Sequence, residues 1–357
     1  MRVLIATGGT GGHIYPALAL ADAMKQRDPE TEILFVGTAE RMESTEIPKA
    51  GYNFTAIRAK GLNGSIIAKL QAGVQLISAI FACRKIVKKF RPDVAIGFGN
   101  YISAPVIMAA HMAHVPTMLH EQNSFAGKAN RFLARYADKI VGCYQENLNQ
   151  FPKEKTRILG NPRASVACHA RRDPQLVKEF GLDPQKPLVV IVMGSLGSES
   201  VNAVMVKALK KMAGKEYQIL YVTGRNAYDS VKAMDLEAEN IRVVPYIDGV
   251  RVMVNADVAV VRGGATTAAE ITVLGLPSII IPSPYVPNNH QVLNAKALQD
   301  QGAALMVEEK DLTEDEITAK IESVVFDPQR QNQMKQAARK LGYPNASDDI
   351  LDWIGQK

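Results

Sequence analysis

Cysteine is scarce in this chain of 357 residues: Cys83, Cys143 and Cys168 are odd in number, scattered and in no metal-ligand spacing. A disulfide framework is not expected, and a reduced, cytosolic compartment is the simplest reading. No Asp-x-Asp occurs anywhere, so the carboxylate pair that usually holds a nucleotide-bound Mg²⁺ is missing. No apolar stretch reaches the roughly 18 residues that span a bilayer, and the four apolar residues ahead of the first glycines are too few for a signal-peptide core. The longest candidate, 104–119, contains Pro105, His111, His114 and Pro116 and reads as a buried helix with a strand beginning after Pro116. Acid is absent altogether from Ile47 to Pro92, where Lys49, Arg58, Lys60, Lys69, Arg84, Lys85, Lys88, Lys89 and Arg91 stand. The chain as a whole carries +6 with pI near 9.0, which suits nucleic acid, anionic lipid or phosphorylated substrates without choosing among them.

With 47% apolar and 22% charged residues, the chain is an ordinary globular one with length for two full cores. Short β-branched runs alternate with helical periodicity: Val3–Ala6, Ile33–Val36, Val94–Gly97, Thr117–His120 and Lys139–Gly142 are strand candidates separated by helix-length segments. That is the pattern of a parallel sheet covered on both faces. The register restarts at Leu188–Met193, which leads into Gly194-Ser195-Leu196-Gly197-Ser198 and a helical stretch Val201–Met212, with further strands at Gln218–Val222, Ile241–Pro245, Val258–Val261 and Ser278–Ile281. The expected fold is α/β: two successive doubly wound, Rossmann-like parallel-sheet domains facing a central cleft, with ligands at the carboxyl ends of both sheets. The first domain is expected over 1–162 and the second over 163–340, joined near Gly160-Asn161-Pro162-Arg163. A C-terminal helix within 341–357 is expected to pack back on the first.

The opening strand runs into Gly8-Gly9-Thr10-Gly11-Gly12-His13. Four glycines in five positions leave backbone that a phosphate or sugar approaches closely, and the helix start that follows favours negative charge. A dinucleotide fingerprint fails here, because taking Gly9 and Gly11 as its first glycines puts Ile14 at the third position, and no Gly-Lys-Ser/Thr follows for a P-loop. His13 is the one titratable side chain at the turn and the candidate general base. Gly97-Phe98-Gly99-Asn100-Tyr101 repeats a glycine-rich strand exit, for a second phosphate or merely for strand–helix packing. At His120-Glu121-Gln122-Asn123, Asn123 is a candidate to bond a sugar or to brace the loop. Glu121 is a reserve base or a structural brace.

In the second half, Val258–Val261 ends at Arg262-Gly263-Gly264, and the helix that opens with Ala265-Thr266-Thr267-Ala268-Ala269 reads as a diphosphate cradle built from amides and helix dipole. Glu270, one turn in, is placed to accept ribose hydroxyls or is a first-turn helix acid. Pro282–Gln291 is a proline-stiffened loop whose Asn289 and Gln291 are sugar-binding candidates. Within the acid-free stretch, Ile66, Ile67, Leu70, Val74, Ile77 and Phe81 recur at helical spacing with basic residues around them. Such an element lies on an anionic membrane or simply covers the sheet.

Gly8–Pro16, Gly97–Ser103, His120–Asn123, Gly160–Arg163, Gly194–Gly197, Gly263–Glu270 and Asn288–Asn294 stand in the order and spacing of the MurG family, which the chain resembles over essentially its whole length. The resemblance implies an inverting GT-B glycosyltransferase that converts lipid I to lipid II at the cytoplasmic face of the bacterial plasma membrane. By matching position it implies donor contacts from Thr10, Gly11, Gly12, Asn123, Arg163 and Ser195, and a uracil contact from the backbone of Ile247. Ala265, Thr266, Thr267, Ala268 and Ala269 would hold the diphosphate, with ribose on Glu270 and N-acetylglucosamine on Gln291. Gly99, Asn100 and Tyr101 are assigned to the acceptor pyrophosphate. Implied partners are UDP-N-acetylglucosamine, lipid I and an anionic membrane surface met by the basic apolar patch near Ile66–Arg91. No cofactor, metal or nucleic acid is implied. The second loop departs from the family's usual glycine pair at Asn100, and Met193 stands where a glycine usually precedes Gly194.

Overall fold

A computed structural model describes residues 1–61, 66–194, 198–236 and 238–356. The chain divides into two units, Met1–Ser165 with Asn345–Lys357, and Val166–Pro344. The first crossing falls inside the helix Pro162–Cys168, three residues past the expected break.

The first unit is a seven-stranded parallel sheet. Its strands are β1 (Arg2–Ala6), β2 (Glu32–Gly37), β3 (Asn53–Ala56), β4 (Val94–Gly97), β5 (Thr117–Glu121), β6 (Lys139–Gly142) and β7 (Thr156–Ile158), in the order β3-β2-β1-β4-β5-β6-β7. The central strands β1, β4 and β5 are buried almost throughout, as expected for strands covered by helices on both faces. The helix Ile66–Phe90 turns Ala72, Ala79, Cys83 and Val87 inward, where Cys83 and Val87 join the core formed with the helix Ser103–Met112. On the other face the helix Gly11–Arg27 packs with the C-terminal helix Ala346–Gly355. Arg27 bridges to Asp348 and Asp352 at 2.8 and 2.6 Å. Trp353, the only tryptophan of the chain, is buried between the cations Lys139 and Arg157, the latter 4.8 Å from its ring centre.

The second unit is a six-stranded parallel sheet. It holds β8 (Leu188–Val192), β9 (Gln218–Val222), β10 (Ile241–Val244), β11 (Val258–Val261), β12 (Ser278–Ile280) and β13 (Ala304–Met306), in the order β10-β9-β8-β11-β12-β13. Both sheets reverse direction of growth at one place, β1/β4 in the first and β8/β11 in the second. The loops that leave those strands diverge to opposite faces and open a crevice at their carboxyl ends. Three strands not anticipated from sequence, β3, β7 and β13, are all at sheet edges, where one neighbour suffices and an unbroken apolar run is not required.

Candidate functional site

Around the β1/β4 reversal the backbone is held from two sides. Gly9 has φ +86, and a Cβ there would lie 2.3 Å from Asn100 Nδ2, so only glycine fits. Its amide donates to Glu43 Oε2 at 2.9 Å, while the Thr38 amide and hydroxyl donate to Glu43 Oε1 at 3.0 and 2.6 Å. Burial raises the Glu43 pKa, but the donors of Thr38, Gly9 and its own backbone outweigh that and hold it below the usual carboxylate value. From the other side Asn100 Nδ2 donates to Gly8 O at 2.9 Å, and the Tyr101 amide donates to Asn100 Oδ1. Asn100 adopts φ +69, a left-handed conformation that asparagine tolerates, which explains how it stands where a glycine is usual. Its side chain thus joins the two loops. Gly99 and Tyr101 stay at the crevice.

Thr10 is the N-cap residue of the helix Gly11–Arg27, yet its hydroxyl does not cap the helix; it pairs with His13 Nδ1 at 3.1 Å. In the tautomer in which Nδ1–H donates to that oxygen, Nε2 carries the lone pair that a proton acceptor needs. His13 occupies the first turn of the helix. Its ring lies against Gly99, since a Cβ there would be 3.3 Å from His13 Cδ2 and 3.5 Å from Nε2.

Below this lies a buried polar layer. His120 receives a hydrogen bond from Gln122 Nε2 at Nδ1, 3.0 Å, and its Nε2 lies 3.1 Å from Gly160 O, where it donates. The ring stacks on Phe98. Burial first, and the nearby His13 as well, push its pKa down to about 4, so it is a neutral structural imidazole. Glu121 Oε1 accepts the amide and side-chain donors of Asn123, and Oε2 accepts from the Gly127 amide and Asn130 Nδ2, at 2.9–3.3 Å. Burial raises its pKa against those donors. With both oxygens occupied, Glu121 braces the 121–127 loop and is poorly disposed to serve as a base. Asn123 is fixed by that carboxylate and by Asn147 Nδ2, which donates to its carbonyl. Glu43 and Asn130 escaped the sequence reading because nothing in their local pattern marks a side chain that turns inward to hold loop backbone.

The second unit offers a parallel arrangement. At the β8/β11 reversal the helix Ala265–Leu274 begins after N-cap Gly264. Its first internal bond runs from Ala268 N to Gly264 O at 2.9 Å, and the Ala268 side chain is buried. The expected cradle is therefore shorter than Ala265–Ala269: the amides turned outward are those ahead of Ala268. Glu270 lies in the second turn, buried, and is not a solvated first-turn acid. Gly263 is required by a close approach, since a Cβ would meet Gln291 O at 2.4 Å, and Asn294 Nδ2 donates to Gly263 O. Gln291 Oε1 accepts the Ser283 amide at 2.8 Å. Arg262 pairs with Glu309 at 2.7 Å, both nearly buried, and its Nη1 has no partner. Ile247 has a buried side chain beside the half-exposed Tyr246. Arg163 belongs to the first unit, its amide on Asn161 Oδ1. Ser195 lies outside the described residues. Among the described residues no group of three or more His, Cys, Asp or Glu is gathered to hold a metal ion.

A further surface feature belongs to the helix Ile66–Phe90. Val74, Ile77 and Phe81 are 70%, 58% and 59% exposed along one face, so the helix covers the sheet with one side and leaves large apolar groups uncovered on the other. A 650 Å³ groove beside them is lined by Phe81, Arg84, Lys85, Lys88 and Arg91. Ile66, Ile67 and Leu70 belong to the same helix, but their side chains are not among those described. No helix among the described residues is long and apolar enough to cross a membrane.

Two Rossmann-like parallel sheets, each with a glycine-rich helix start at its reversal point, are the domains of the GT-B fold. The N-terminal and C-terminal domain models of glycosyltransferase family 28 match residues 3–141 and 188–350, and the chain belongs to this family, in its MurG branch. The UDP-N-acetylglucosamine--N-acetylmuramyl-(pentapeptide) pyrophosphoryl-undecaprenol N-acetylglucosamine transferase of Lactiplantibacillus plantarum is 41% identical, covering 98% of both chains. The same-named protein of Bacillus cytotoxicus is 40% identical over 100% of this chain and 99% of its own. The crystal structure of MurG from Acinetobacter baumannii superposes with TM-score 0.78 at 26% identity, covering 99% and 98%. A UDP-GlcNAc 2-epimerase from Neisseria meningitidis shares the fold, TM-score 0.68, at only 12% identity over 99% of each chain.

Unfolded histidine titrates near 6.5 and folded His120 near 4, so between those values the unfolded chain binds a proton that the folded chain does not. The stability of the first unit falls as pH drops from about 6.5 toward 4, by up to about 1.4 kcal/mol per pH unit from this group. Urea unfolding followed by Trp353 fluorescence measures it, and His120→Gln is expected to flatten the slope; an unchanged slope would contradict the assignment.

Proposed function

We propose that the chain transfers N-acetylglucosamine from UDP-N-acetylglucosamine to the C4 hydroxyl of the N-acetylmuramyl group of undecaprenyl-pyrophosphoryl-N-acetylmuramyl-pentapeptide, making lipid II from lipid I. The relatives at about 40% identity over the whole chain carry that activity in their names. The observation in this chain that carries the reading is His13, oriented through Nδ1 by Thr10 and set against Gly99 at the β1/β4 reversal.

In this reading the acceptor hydroxyl attacks the anomeric carbon as the bond to UDP breaks, in one displacement with inversion. His13 Nε2 takes the hydroxyl proton as the new bond forms, a contribution of about 10²–10⁴-fold. The electron pair of the broken bond passes to the β-phosphate, where the first-turn amides of the helix Ala265–Leu274 and the dipole behind them meet the developing charge, aided by Arg163 and Ser195. No metal ion or cofactor enters the scheme. Glu270 accepts from the ribose, the Ile247 backbone pairs with uracil, and Gln291 Nε2 holds the transferred sugar. Thr10, Gly11, Gly12 and Asn123 complete the sugar contacts, while Gly99 and Tyr101 border the acceptor pyrophosphate.

The exposed Val74–Ile77–Phe81 face with Arg84, Lys85 and Lys88 beside it supports peripheral attachment at the cytoplasmic face of the plasma membrane. Apolar groups enter the interface and the cations meet anionic headgroups. Such interleaving of large apolar and basic groups suits lipid rather than nucleic acid.

The reading is tested by supplying radiolabelled UDP-N-acetylglucosamine with a lipid I analogue. Labelled disaccharide-lipid and released UDP are expected; epimerised sugar without lipid product would replace this reading with an epimerase. For the surface, Ile77→Ser with Phe81→Ser is expected to lower binding to phosphatidylglycerol vesicles by about tenfold or more. Transfer to a water-soluble acceptor should be retained. Undiminished vesicle binding would contradict the membrane assignment.

A further inference from the structure

The second unit contains a 510 Å³ cavity at the end of its sheet opposite to the β8/β11 loops. Asp257, immediately before β11, and Pro277, immediately before β12, mark its place. Four cationic side chains line it: Arg171, Arg172, Lys335 and Arg339. Asp257 is the one carboxylate among the lining residues, and both its oxygens are engaged, Oδ1 by Arg172 at 2.7 Å and Oδ2 by the Leu188 amide at 2.9 Å. Arg171, Lys335 and Arg339 have no ion-pair partner among the described residues. Gathering like charges around one hollow is unfavourable unless an anion or solvent screens them, so the arrangement is an electrostatic trap for negative charge.

Two of these cations are already oriented. Arg171 Nη1 donates to the carbonyls of Cys168 and Ala170, and Arg172 Nη2 to the carbonyl of Ala256 and to Asp257, which fixes both planes and leaves other guanidinium donors to turn to a ligand. Arg339 packs over Gly275, where φ is +63 and a Cβ would come within 2.7 Å of its Nε. It stands at the carboxyl end of the helix Ala265–Leu274, whose dipole favours a cation there. The helix beginning at Pro328 is capped by the Asp327 carboxylate, so side chains and not helix amides are the recognition groups. Met253, Leu274 and Pro277 supply apolar wall. The volume is that of a small-molecule site, and cations around a partly apolar hollow match a phosphate ester on an organic body.

We propose that this cavity is a second ligand site, for a small phosphorylated molecule of nucleotide size, separate from the β8/β11 crevice; the use of UDP to fill that crevice in the test rests on the transferase reading, while the variant and alkylation arms report on the cavity itself. The test is calorimetric titration of the full-length protein with ADP in the presence of saturating UDP, which occupies the crevice. Saturable binding with one site per chain is expected, weakening with added salt. Arg171→Ser with Lys335→Ser, both exposed positions, is expected to weaken it by about tenfold or more without altering the KM for the sugar nucleotide. On the unsubstituted protein, ADP is expected to slow alkylation of Cys168, which lines the cavity. No saturable binding, displacement by UDP, undiminished affinity in the double variant, or unchanged alkylation of Cys168 would each overturn the proposal.

Discussion

Glu43 and Asn100 grip the Gly8–Gly9 backbone from opposite sides, and the chemistry proposed for the first unit depends on that grip. The carboxylate takes the Gly9 amide together with two donors of Thr38; the carboxamide takes the Gly8 carbonyl. A glycine loop pays heavily in chain entropy when ordered, and without partners at those backbone groups it would have no single shape. Because Thr10 and the start of the helix Gly11–Arg27 follow directly, the clamp also sets where the imidazole of His13 stands. Burying a carboxylate for this purpose is costly, and the four-donor environment that lowers the Glu43 pKa shows how the fold offsets the cost.

Two buried carboxylates of the first unit show that similar surroundings lead to different ends. Glu43 is held below its ordinary pKa, Glu121 above, yet each acts as a brace for a strand-exit loop. His120 completes the layer as a neutral ring between Phe98, Gln122 and Gly160. This division leaves His13 as the histidine at the β1/β4 crevice that is only partly buried. A proton acceptor near neutral pH has to be of that kind.

The central strands and both glycine-rich helix starts were legible in the sequence, since buried parallel strands write themselves as β-branched runs and a glycine cluster after such a run has few other uses. The edge strands β3, β7 and β13 were not, because Asn53-Phe54-Thr55-Ala56 or Thr156-Arg157-Ile158 carry no continuous apolar signal. At the site, residue types were readable but allegiances were not. Glu121 looked equally like a base and a brace until its four donors were placed. Asn100 was visible as a member of its loop, but not its left-handed φ or its bond to Gly8 O. The length of the amide cradle likewise depended on where the helix begins, which pattern alone leaves open by a residue or two.

The central claim is that His13 receives the proton of the attacking hydroxyl, and the measurement that bears on it most directly is kcat for His13→Ala and His13→Gln with donor and acceptor both saturating. The account predicts a loss of about 10²–10⁴-fold in kcat, a donor KM that stays close to that of the unsubstituted enzyme, and disappearance of the acidic limb of the kcat profile near the histidine pKa. Near-normal kcat in His13→Ala, or an acidic limb that survives the substitution, would contradict it.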